Sequence, residues 1–502
     1  MKILDKNVSL NFDSGTPWIK HPIVLLLAAM VIYTIFFAIV AKAEMIWYDE
    51  AFSLASSHYS CHELWEYSKQ DVHMPTYHFI LKAWQFFFGE SICAAKAFSL
   101  LAILMTTVLV YRIGMKIEER HFALQCAVAY MIFPGVCVNA TEIRMYALTG
   151  FFLVAATLFL IRIVERPPCF SDYCLFSLSM LVCLSLLSAA VIYAASFSIV
   201  LLSILILKKE TRKIIYGLFA LGAIGLVYLP ILFTRLISQC NCVKDHFWTS
   251  KISLGDLFYI FITQYLGRGH WRCLGFVSFF ILWLITLIGL YFILKCNDNR
   301  RKWIVLACMS CIALPLGFGT LASIIMGRLV LVGRALYPII VFLVILHIYS
   351  LCVLSWKYLR FIGYLILLCM FIHQTCSYGF YMHHSRHKEM KEYMSHAYKD
   401  APIMCFSISF GLSLSRYLPD HTINVDNTLE NYGYFLPYNG NMTSKALKDI
   451  NKETMLFITD CAKSEELDGY LAKNNFNSKF IASWEHEYSK RIFHLYEAKR
   501  LQ

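Results

Sequence analysis

Two adjacent carboxylates, Asp49 and Glu50, stand where the first long apolar run of the sequence ends. Ionisable residues at a membrane boundary are costly to bury and are therefore candidates for function. A carboxylate in this position can take a proton from a hydroxyl group as a general base. The alternative from this pair alone is an acidic surface loop that follows a helix.

Three later segments carry the other polar groups with chemical potential, and each lies between apolar runs. They are DVHMPTYH with His73 and Tyr77, EIRMY with Glu142, Arg144 and Tyr146, and GRALYP with Arg334 and Tyr337. A guanidinium group fits two phosphate oxygens at once and can stabilise charge on a departing phosphate. Together these residue types suit a reaction of an anionic substrate that is embedded in the membrane.

The composition shows which elements must position these residues. The chain has 502 residues, 58% hydrophobic and only 16% charged, with a net charge of +12. Its mean hydropathy is +0.57, and soluble domains carry about 25% charged residues. The sequence therefore predicts a polytopic α-helical membrane protein. The basic residues are spread over short loops instead of one patch, so we expect no nucleic-acid partner.

Apolar runs predict about eleven transmembrane helices. The first is expected to be an anchor and not a cleaved signal peptide, and 174–207 is read as two spans instead of one long tilted span. The predicted spans are 23–43, 92–111, 122–138, 147–163, 174–189, 190–207, 214–234, 273–294, 303–326, 335–355 and 359–380.

The loops that follow even-numbered spans are basic, as after 92–111 and 190–207. The positive-inside rule then places the N-terminus in the cytoplasm and Asp49 outside. We expect the membrane to be a plasma (inner) membrane. The first outer loop, 44–91, contains a predicted interfacial helix at 76–88, and a second such helix is predicted at 252–264.

Residues 1–382 are predicted to form the transmembrane catalytic domain and 383–502 a small extracytoplasmic α/β domain. In the second part, Ile403–Phe410 and Met455–Thr459 are predicted strands and Ser464–Lys473 a helix, followed by strands at Lys479–Trp484 and Arg491–Tyr496.

Three places in the sequence offer residue types that bind metal ions. The carboxylate pair with His73 or His270 can hold a divalent metal, and so can the His-rich stretch 383–387, although a solvated linker is also possible there. Cys240 and Cys242 can form a disulfide or a metal site. We expect no metal and no other cofactor to be required.

The four polar segments occur in the order WYDEA, DVHMPTYHFILKAW, TEIRMYAL and GRALYP. In this order they resemble the membrane glycosyltransferases of the GT-C fold, in the branch of protein O-mannosyltransferases and lipid A aminoarabinose transferases. The resemblance covers about residues 20–350. Met74 stands where the family usually has a proline, His73 where some members have lysine, and Ala335 where the family has an aromatic residue.

The resemblance implies inverting transfer of a sugar from a polyprenyl-phosphate donor to an acceptor hydroxyl of a glycolipid, polysaccharide or protein at the outer face. Asp49 would be the catalytic base, and Glu50 would order the loop or touch the sugar. Glu142 would contact donor or acceptor, and Arg144 and Arg334 the lipid phosphate. His73, Tyr77 and Tyr146 complete the implied substrate-binding set.

Each assignment has a structural alternative. Glu142 and Arg144 can form a local ion pair that closes their loop, and Arg334 can be an interface anchor. Tyr146, Tyr337 and Arg328 can belong to an interfacial belt. For the whole protein the alternatives are a transporter or flippase of lipid-linked sugars, and a structural membrane protein with a sensing ectodomain. We find no internal repeat of the kind that many transporters show.

Overall fold

The computed structural model describes residues 21–42, 46–68, 73–237, 253–267, 272–327, 329–330, 332–383, 386–399, 401–405, 408–425, 442–444, 454–459, 464–485 and 492–501. Asp71, Cys240, Cys242, His270, Arg328 and His384 lie outside these residues, so the expectations that concern them stay predictions.

In the first half of the chain, the described residues are almost entirely helical. Its helices are α1 (Pro22–Ala41), α2 (Tyr48–Ser56), α3 (Cys61–Tyr67), α4 (Thr76–Phe88), α5 (Ile92–Ile117), α6 (Arg120–Ile132), α7 (Pro134–Asn139), α8 (Tyr146–Glu165), α9 (Phe170–Leu186), α10 (Ala190–Leu207) and α11 (Thr211–Ile231), which continues into a π-helical turn, Leu232–Leu236.

The described residues of the second half add five helices and a 3₁₀ segment before a mixed α/β region begins. The helices are α12 (Leu254–Leu266), α13 (Arg272–Lys295), α14 (Asn299–Met326), the 3₁₀ segment Gly333–Ile339, α15 (Ile340–Val353) and α16 (Lys357–His383). Then follow α17 (His387–Ala397), β1 (Ile403–Cys405), α18 (Ile408–Tyr417), β2 (Ile423–Val425), β3 (Met442–Ser444), β4 (Thr454–Thr459), α19 (Ser464–Lys473), β5 (Phe476–Glu485) and β6 (Ile492–Arg500).

Nine helical segments of the described chain are long and apolar enough to cross a bilayer, which fits a multi-pass membrane protein. They are Pro22–Ala41, Ile92–Ile117, Tyr146–Glu165, Ala190–Leu207, Thr211–Arg235, Leu274–Lys295, Asn299–Met326, Gly333–Val353 and Lys357–Ser377. The other two expected spans are shorter helices. Residues 122–138 divide at Pro134 into α6 and α7, because proline lacks the amide hydrogen that would continue the helix. The stretch 174–207 forms two helices, α9 and α10, as expected.

The most buried span is Gly333–Val353, in which 89% of the apolar window lies inside the protein, against 22% for Pro22–Ala41. A helix that is apolar on all sides belongs in the centre of a bundle. This central span packs on α6, α13 and α14. Its first turn carries Arg334, so the candidate site is built on the most buried of the nine described spans.

The α/β region contains one six-stranded sheet in the order β3-β2-β1-β4-β6-β5. Strands β3, β2, β1 and β4 are parallel, and β6 is antiparallel to both β4 and β5. The predicted strand Ile403–Phe410 is wrong in its second half, because β1 ends at Cys405 and Ile408 begins α18. The predicted helix Ser464–Lys473 agrees with α19.

Candidate active site

Asp49 lies in the first turn of α2, a short helix that begins at Tyr48. The Glu50 side chain fixes this turn, because its Oε2 accepts a hydrogen bond from the Trp47 amide at 3.1 Å. An acidic side chain that binds an amide at a helix N-terminus satisfies a group that has no partner within the helix. The Glu50 side chain is thus bound to the backbone at the start of α2. The neighbouring Asp49 side chain does not take part in this capping bond.

Two arginines from distant parts of the sequence meet Asp49. Arg334 Nη1 donates to Asp49 Oδ2 at 2.6 Å, and Arg144 Nη2 lies 4.0 Å from the same oxygen. The side chains of Asp49 and Arg334 are each 25% exposed, whereas that of Arg144 is 1% exposed. Asp49 and Arg334 can therefore meet a substrate from outside, and Arg144 supports them from within.

Arg144 connects α2 to the loop before α8. Its Nη1 donates to the Asp49 carbonyl and to Ser53 Oγ, both at 3.1 Å. Its Nη2 lies 2.6 Å from His73 Nε2. Arg144 therefore contacts α2 and the first outer loop. The alternative from the sequence, a local ion pair with Glu142, does not account for these contacts.

Arg334 projects from the 3₁₀ segment, which three neighbouring helices hold by hydrogen bonds. Gln264 Nε2 of α12 donates to the Gly333 carbonyl at 2.7 Å. The Tyr193 hydroxyl of α10 donates to the Ala335 carbonyl, and Tyr337 bonds to Tyr130 of α6. These hydrogen bonds fix the position of the Arg334 guanidinium. A functional group on an ordinary loop would lack such support.

Aromatic rings flank the Arg334 guanidinium. Its Cζ lies 4.5 Å from the centre of the Trp47 ring and 5.8 Å from that of Tyr146. A guanidinium held over a ring gains cation–π attraction. Tyr146, predicted to bind substrate, is buried here, and its ring lies in the wall of the site.

Glu50 and Glu142 are buried below Asp49. Glu50 Oε1 accepts a hydrogen bond from the Ile143 amide at 3.1 Å, which joins α2 to the 139–146 loop. Burial, and after it Glu142, raises the pKa of Glu50, while Lys96 lowers it. Of the two roles predicted for Glu50, this geometry favours ordering the loop. Glu142 is 1% exposed, and its contact with donor or acceptor stays a prediction.

Three acidic and three basic side chains thus share this region, which we call the acid–base cluster. It consists of Asp49, Glu50, Glu142, Lys96, Arg144 and Arg334. The sequence analysis missed Lys96. It lies in the first turns of α5 and is 1% exposed. A lone charge inside an apolar span was the available signal.

His73 and Tyr77 lie on the other side of Arg144. Burial, followed by the charge of Arg144, lowers the pKa of His73 well below its usual value, so the imidazole is neutral and can accept the arginine hydrogen bond. Tyr77 is fully buried in α4, and burial raises its pKa. Direct contact of Tyr77 with a substrate would need a local movement.

The C-terminal region reaches the start of α2. The Tyr417 hydroxyl accepts from the Ile46 amide at 3.2 Å and donates to the Ile46 carbonyl. Arg416 Nη2 lies 3.0 Å from His58 Nε2, just beyond the end of α2. Helix α18 therefore packs against the element that carries Asp49. Sequence analysis gave no sign of this contact, because 371 residues separate its members.

Within the described part of the chain, no three His, Cys, Asp or Glu side chains are grouped so that they can hold a metal ion. The described site offers a carboxylate for proton transfer and two guanidinium groups for electrostatic stabilisation.

No known family model matches the sequence, and no curated protein matches it. Solved structures do. ArnT from Cupriavidus metallidurans in the apo state matches with a TM-score of 0.60 at 10% identity, over 95% of this chain and 97% of that chain. The same protein bound to undecaprenyl phosphate matches with a TM-score of 0.59 at 12% identity, over 96% and 98%.

The Archaeoglobus fulgidus oligosaccharyltransferase in its apo form matches with a TM-score of 0.48 at 10% identity, over 79% of this chain and 64% of that chain.

The fold is assigned from the match to ArnT. ArnT, a lipid A aminoarabinose transferase, is a GT-C fold membrane glycosyltransferase. The expected fold is therefore confirmed: the chain has the GT-C fold, with a small sheet region at its C-terminal end.

Proposed function

We propose that this protein is an inverting glycosyltransferase that moves a hexosyl or pentosyl group from a polyprenyl-phosphate donor to an acceptor hydroxyl at the outer face of the membrane. The acceptor would belong to a glycolipid, a polysaccharide or a protein. The observation that carries the proposal is the partly exposed Asp49 carboxylate, 2.6 Å from Arg334 and backed by Arg144. A base beside two phosphate-binding groups is what this reaction needs.

In the proposed reaction, Asp49 accepts the proton of the acceptor hydroxyl as its oxygen attacks the anomeric carbon of the sugar. The new carbon–oxygen bond forms on the face opposite to the phosphate. The bond from the anomeric carbon to the phosphate oxygen breaks, and its electron pair leaves with the polyprenyl phosphate. Inversion follows from this single displacement.

Arg334 is the better placed of the two arginines to contact the donor phosphate, because its side chain is exposed to the same extent as that of Asp49. A guanidinium has five N–H donors, so one can hold Asp49 while others meet phosphate oxygens. Charge grows on the phosphate as the sugar departs, so this contact stabilises the transition state more than the bound donor. Arg144 and the neutral His73 lie one layer deeper and can complete the contact.

The membrane setting agrees with a lipid-linked donor. Arg144 and Arg334 lie at the start of long apolar segments, and Asp49 lies in the short helix α2 that follows the first span. A phosphate bound there can stay at headgroup level with its tail in lipid. An ArnT structure with undecaprenyl phosphate shares this fold. The sheet region that packs on α2 would hold or select the acceptor. A transporter would instead be expected to place its ionisable groups near the midplane.

The test is a transfer assay with purified protein in liposomes and a panel of polyprenyl-phosphate sugars, comparing wild type with Asp49→Asn. Asparagine keeps the shape but cannot accept the proton, and losing general-base catalysis costs about 10²–10⁴-fold in rate. Asp298→Asn at the opposite end of the bundle is the control, since asparagine also caps a helix well. Near wild-type transfer by folded Asp49→Asn would remove Asp49 from the mechanism. Donor translocation without any product would support the transporter.

A further inference from the structure

A second candidate binding site lies at the end of the bundle opposite to Asp49. It is a cavity of about 340 Å³ between α5, α8, α10, α14 and α15. Helix α8 measures the separation, since it runs from Tyr146 in the candidate active site to Glu165 at this cavity. Twenty helical residues extend roughly 30 Å, so the cavity is not part of the glycosyl-transfer site.

The inner walls of the cavity are apolar. Leu160, Val200, Phe342 and Ile345 are among the side chains that line it. The cavity opens to the outside of the bundle, where Leu207 is 61% and Trp303 46% exposed. Because these helices cross the bilayer, that opening faces lipid. A cavity of this volume is within the range of small-molecule sites, about 300–1,000 Å³.

Three cations line the mouth of the cavity: Lys116, Lys208 and Arg300. Lys116 is partly neutralised by Glu165, with their charged atoms 3.7 Å apart. Arg300 donates one hydrogen bond to the Lys116 carbonyl at 3.0 Å. In the described residues, neither Lys208 nor Arg300 has a carboxylate within ion-pair distance, so the mouth keeps an excess of positive charge.

We propose that this cavity binds an anionic glycerophospholipid, with one acyl chain between the helices and the phosphate at Lys208 and Arg300. The apolar interior matches the chain, and the excess positive charge matches the headgroup. Basic groups between spans at a membrane surface are a known way to recognise anionic lipids. Trp303 lies at the same mouth, where indole rings favour the boundary between headgroups and hydrocarbon.

The bound lipid would join α10 to α14, two spans that contact each other along the wall of the cavity. A ligand that binds the folded state alone raises its stability by mass action. The proposal therefore concerns a structural lipid, and it does not depend on the proposed transferase activity.

The experiment uses full-length protein in phosphatidylcholine nanodiscs that contain a trace of phosphatidylglycerol with a photoreactive acyl chain. After illumination, mass spectrometry of peptides should place the label on α10 and α14 near Ala307, which lines the cavity. Ala307→Trp should abolish this label by filling the cavity. A matched photoreactive phosphatidylcholine should label the same peptides several times less.

Charge variants test whether the lipid phosphate contacts Lys208 and Arg300 directly or is attracted by the overall positive charge of this end of the bundle. Lys208→Gln and Arg300→Gln should each lower labelling about fivefold, the factor expected for one basic group near an anionic lipid. Lys357→Gln is the control, because Lys357 is exposed at the same end of the bundle but does not line the cavity. Size-exclusion profiles must match wild type. Equal labelling by both lipids, or unchanged labelling in Ala307→Trp, would overturn the proposal.

Discussion

At the scale of single residues, the two arginines beside Asp49 differ in burial and therefore in expected role. Arg334 is partly exposed, and its hydrogen bond to α2 is with the carboxylate of Asp49. Arg144 is buried and holds the backbone of α2 as well as Ser53. The same residue type thus supplies a partly exposed charge at one position and internal support at the other.

We expect Arg334→Lys to lower turnover by about 10²-fold or more with little change in stability, because an ammonium cannot hold Asp49 and phosphate in the same geometry. Arg144→Lys should lower both turnover and the thermal midpoint, since it removes buried hydrogen bonds. The measurements are transfer rate and thermal unfolding in detergent, with the exposed Arg120→Lys as control. Wild-type turnover in both variants would mean that the phosphate is held elsewhere.

The buried histidines of the first outer loop should make the stability of the protein depend on pH. Burial lowers the pKa of His78 to about 3, and that of His73 is lowered in the same direction. The unfolded chain binds these protons near pH 6.5. The stability that neutral His73 and His78 contribute is therefore complete above about pH 6.5 and is lost as the pH falls toward their folded pKa values.

Below about pH 6.5 the free energy of unfolding of wild type should accordingly fall by up to about 1.4 kcal/mol per pH unit for each group, and the thermal midpoint should therefore be lower at pH 5 than at pH 7.5. His78→Phe keeps a ring at this position but cannot bind a proton, so its midpoint should change less over the same interval. His62→Phe on the exposed face of α3 is the control. Glu50, whose pKa is raised, acts in the opposite direction. If the thermal midpoints of His78→Phe and wild type change equally with pH, His78 is not a source of the pH dependence.

At the scale of elements, the 3₁₀ segment Gly333–Ile339 is positioned by close packing on α8. The Tyr337 ring lies over Gly150, and a Cβ atom at that position would overlap with ring carbons. The absence of a side chain at Gly150 therefore lets the Arg334 segment approach α8. This is a requirement of packing, because Gly150 lies within a regular helix.

Gly150→Ala should displace Tyr337 and with it Arg334, so we expect lower turnover and a loss of about 1–3 kcal/mol in unfolding free energy from overpacking. Gly222→Ala in α11 is a matched control, because no atom lies within 4 Å of the added carbon. Alanine there should be neutral or stabilise by up to about 1 kcal/mol through helix propensity. Identical behaviour of the two variants in unfolding and transfer assays would exclude the packing explanation.

At the scale of the whole molecule, the helix ends divide the protein into two faces. One face carries Asp49, the first outer loop and the sheet region that contacts it through Tyr417. The opposite face carries the basic loops, including Lys116, Lys208 and Arg300. The positive-inside rule predicts that this second face is cytoplasmic.

Two native cysteines can test this orientation. Cys61 is exposed at the start of α3 on the Asp49 face, and Cys169 is exposed just before α9 on the opposite face. In variants that keep one of them as the single cysteine, a membrane-impermeant maleimide on intact cells should label Cys61. Cys169 should be labelled only after permeabilisation. The reverse pattern would invert the predicted topology.

The sequence by itself determined the fold class, and it predicted the residues of the candidate site. Long apolar runs specify membrane helices because each backbone group must be satisfied within lipid. Two expected spans are shorter helices than the other nine: Pro134 divides 122–138, and 174–189 corresponds to the 17-residue helix α9. Asp49, Arg144 and Arg334 could be found because polar groups between apolar runs are conspicuous, and their order resembled that of a known fold.

Only the tertiary structure decided how these residues meet. The contact of Asp49 with Arg334 joins positions 285 residues apart, and it depends on the packing of Gly150, Tyr337 and Tyr193 around one buried segment. The contact of Tyr417 with Ile46 escaped sequence analysis for the same reason, whereas Lys96 was visible in the sequence as a lone charge inside an apolar span. Local sequence specifies which groups a helix presents, but side-chain contacts between distant segments arise only when the whole core is packed.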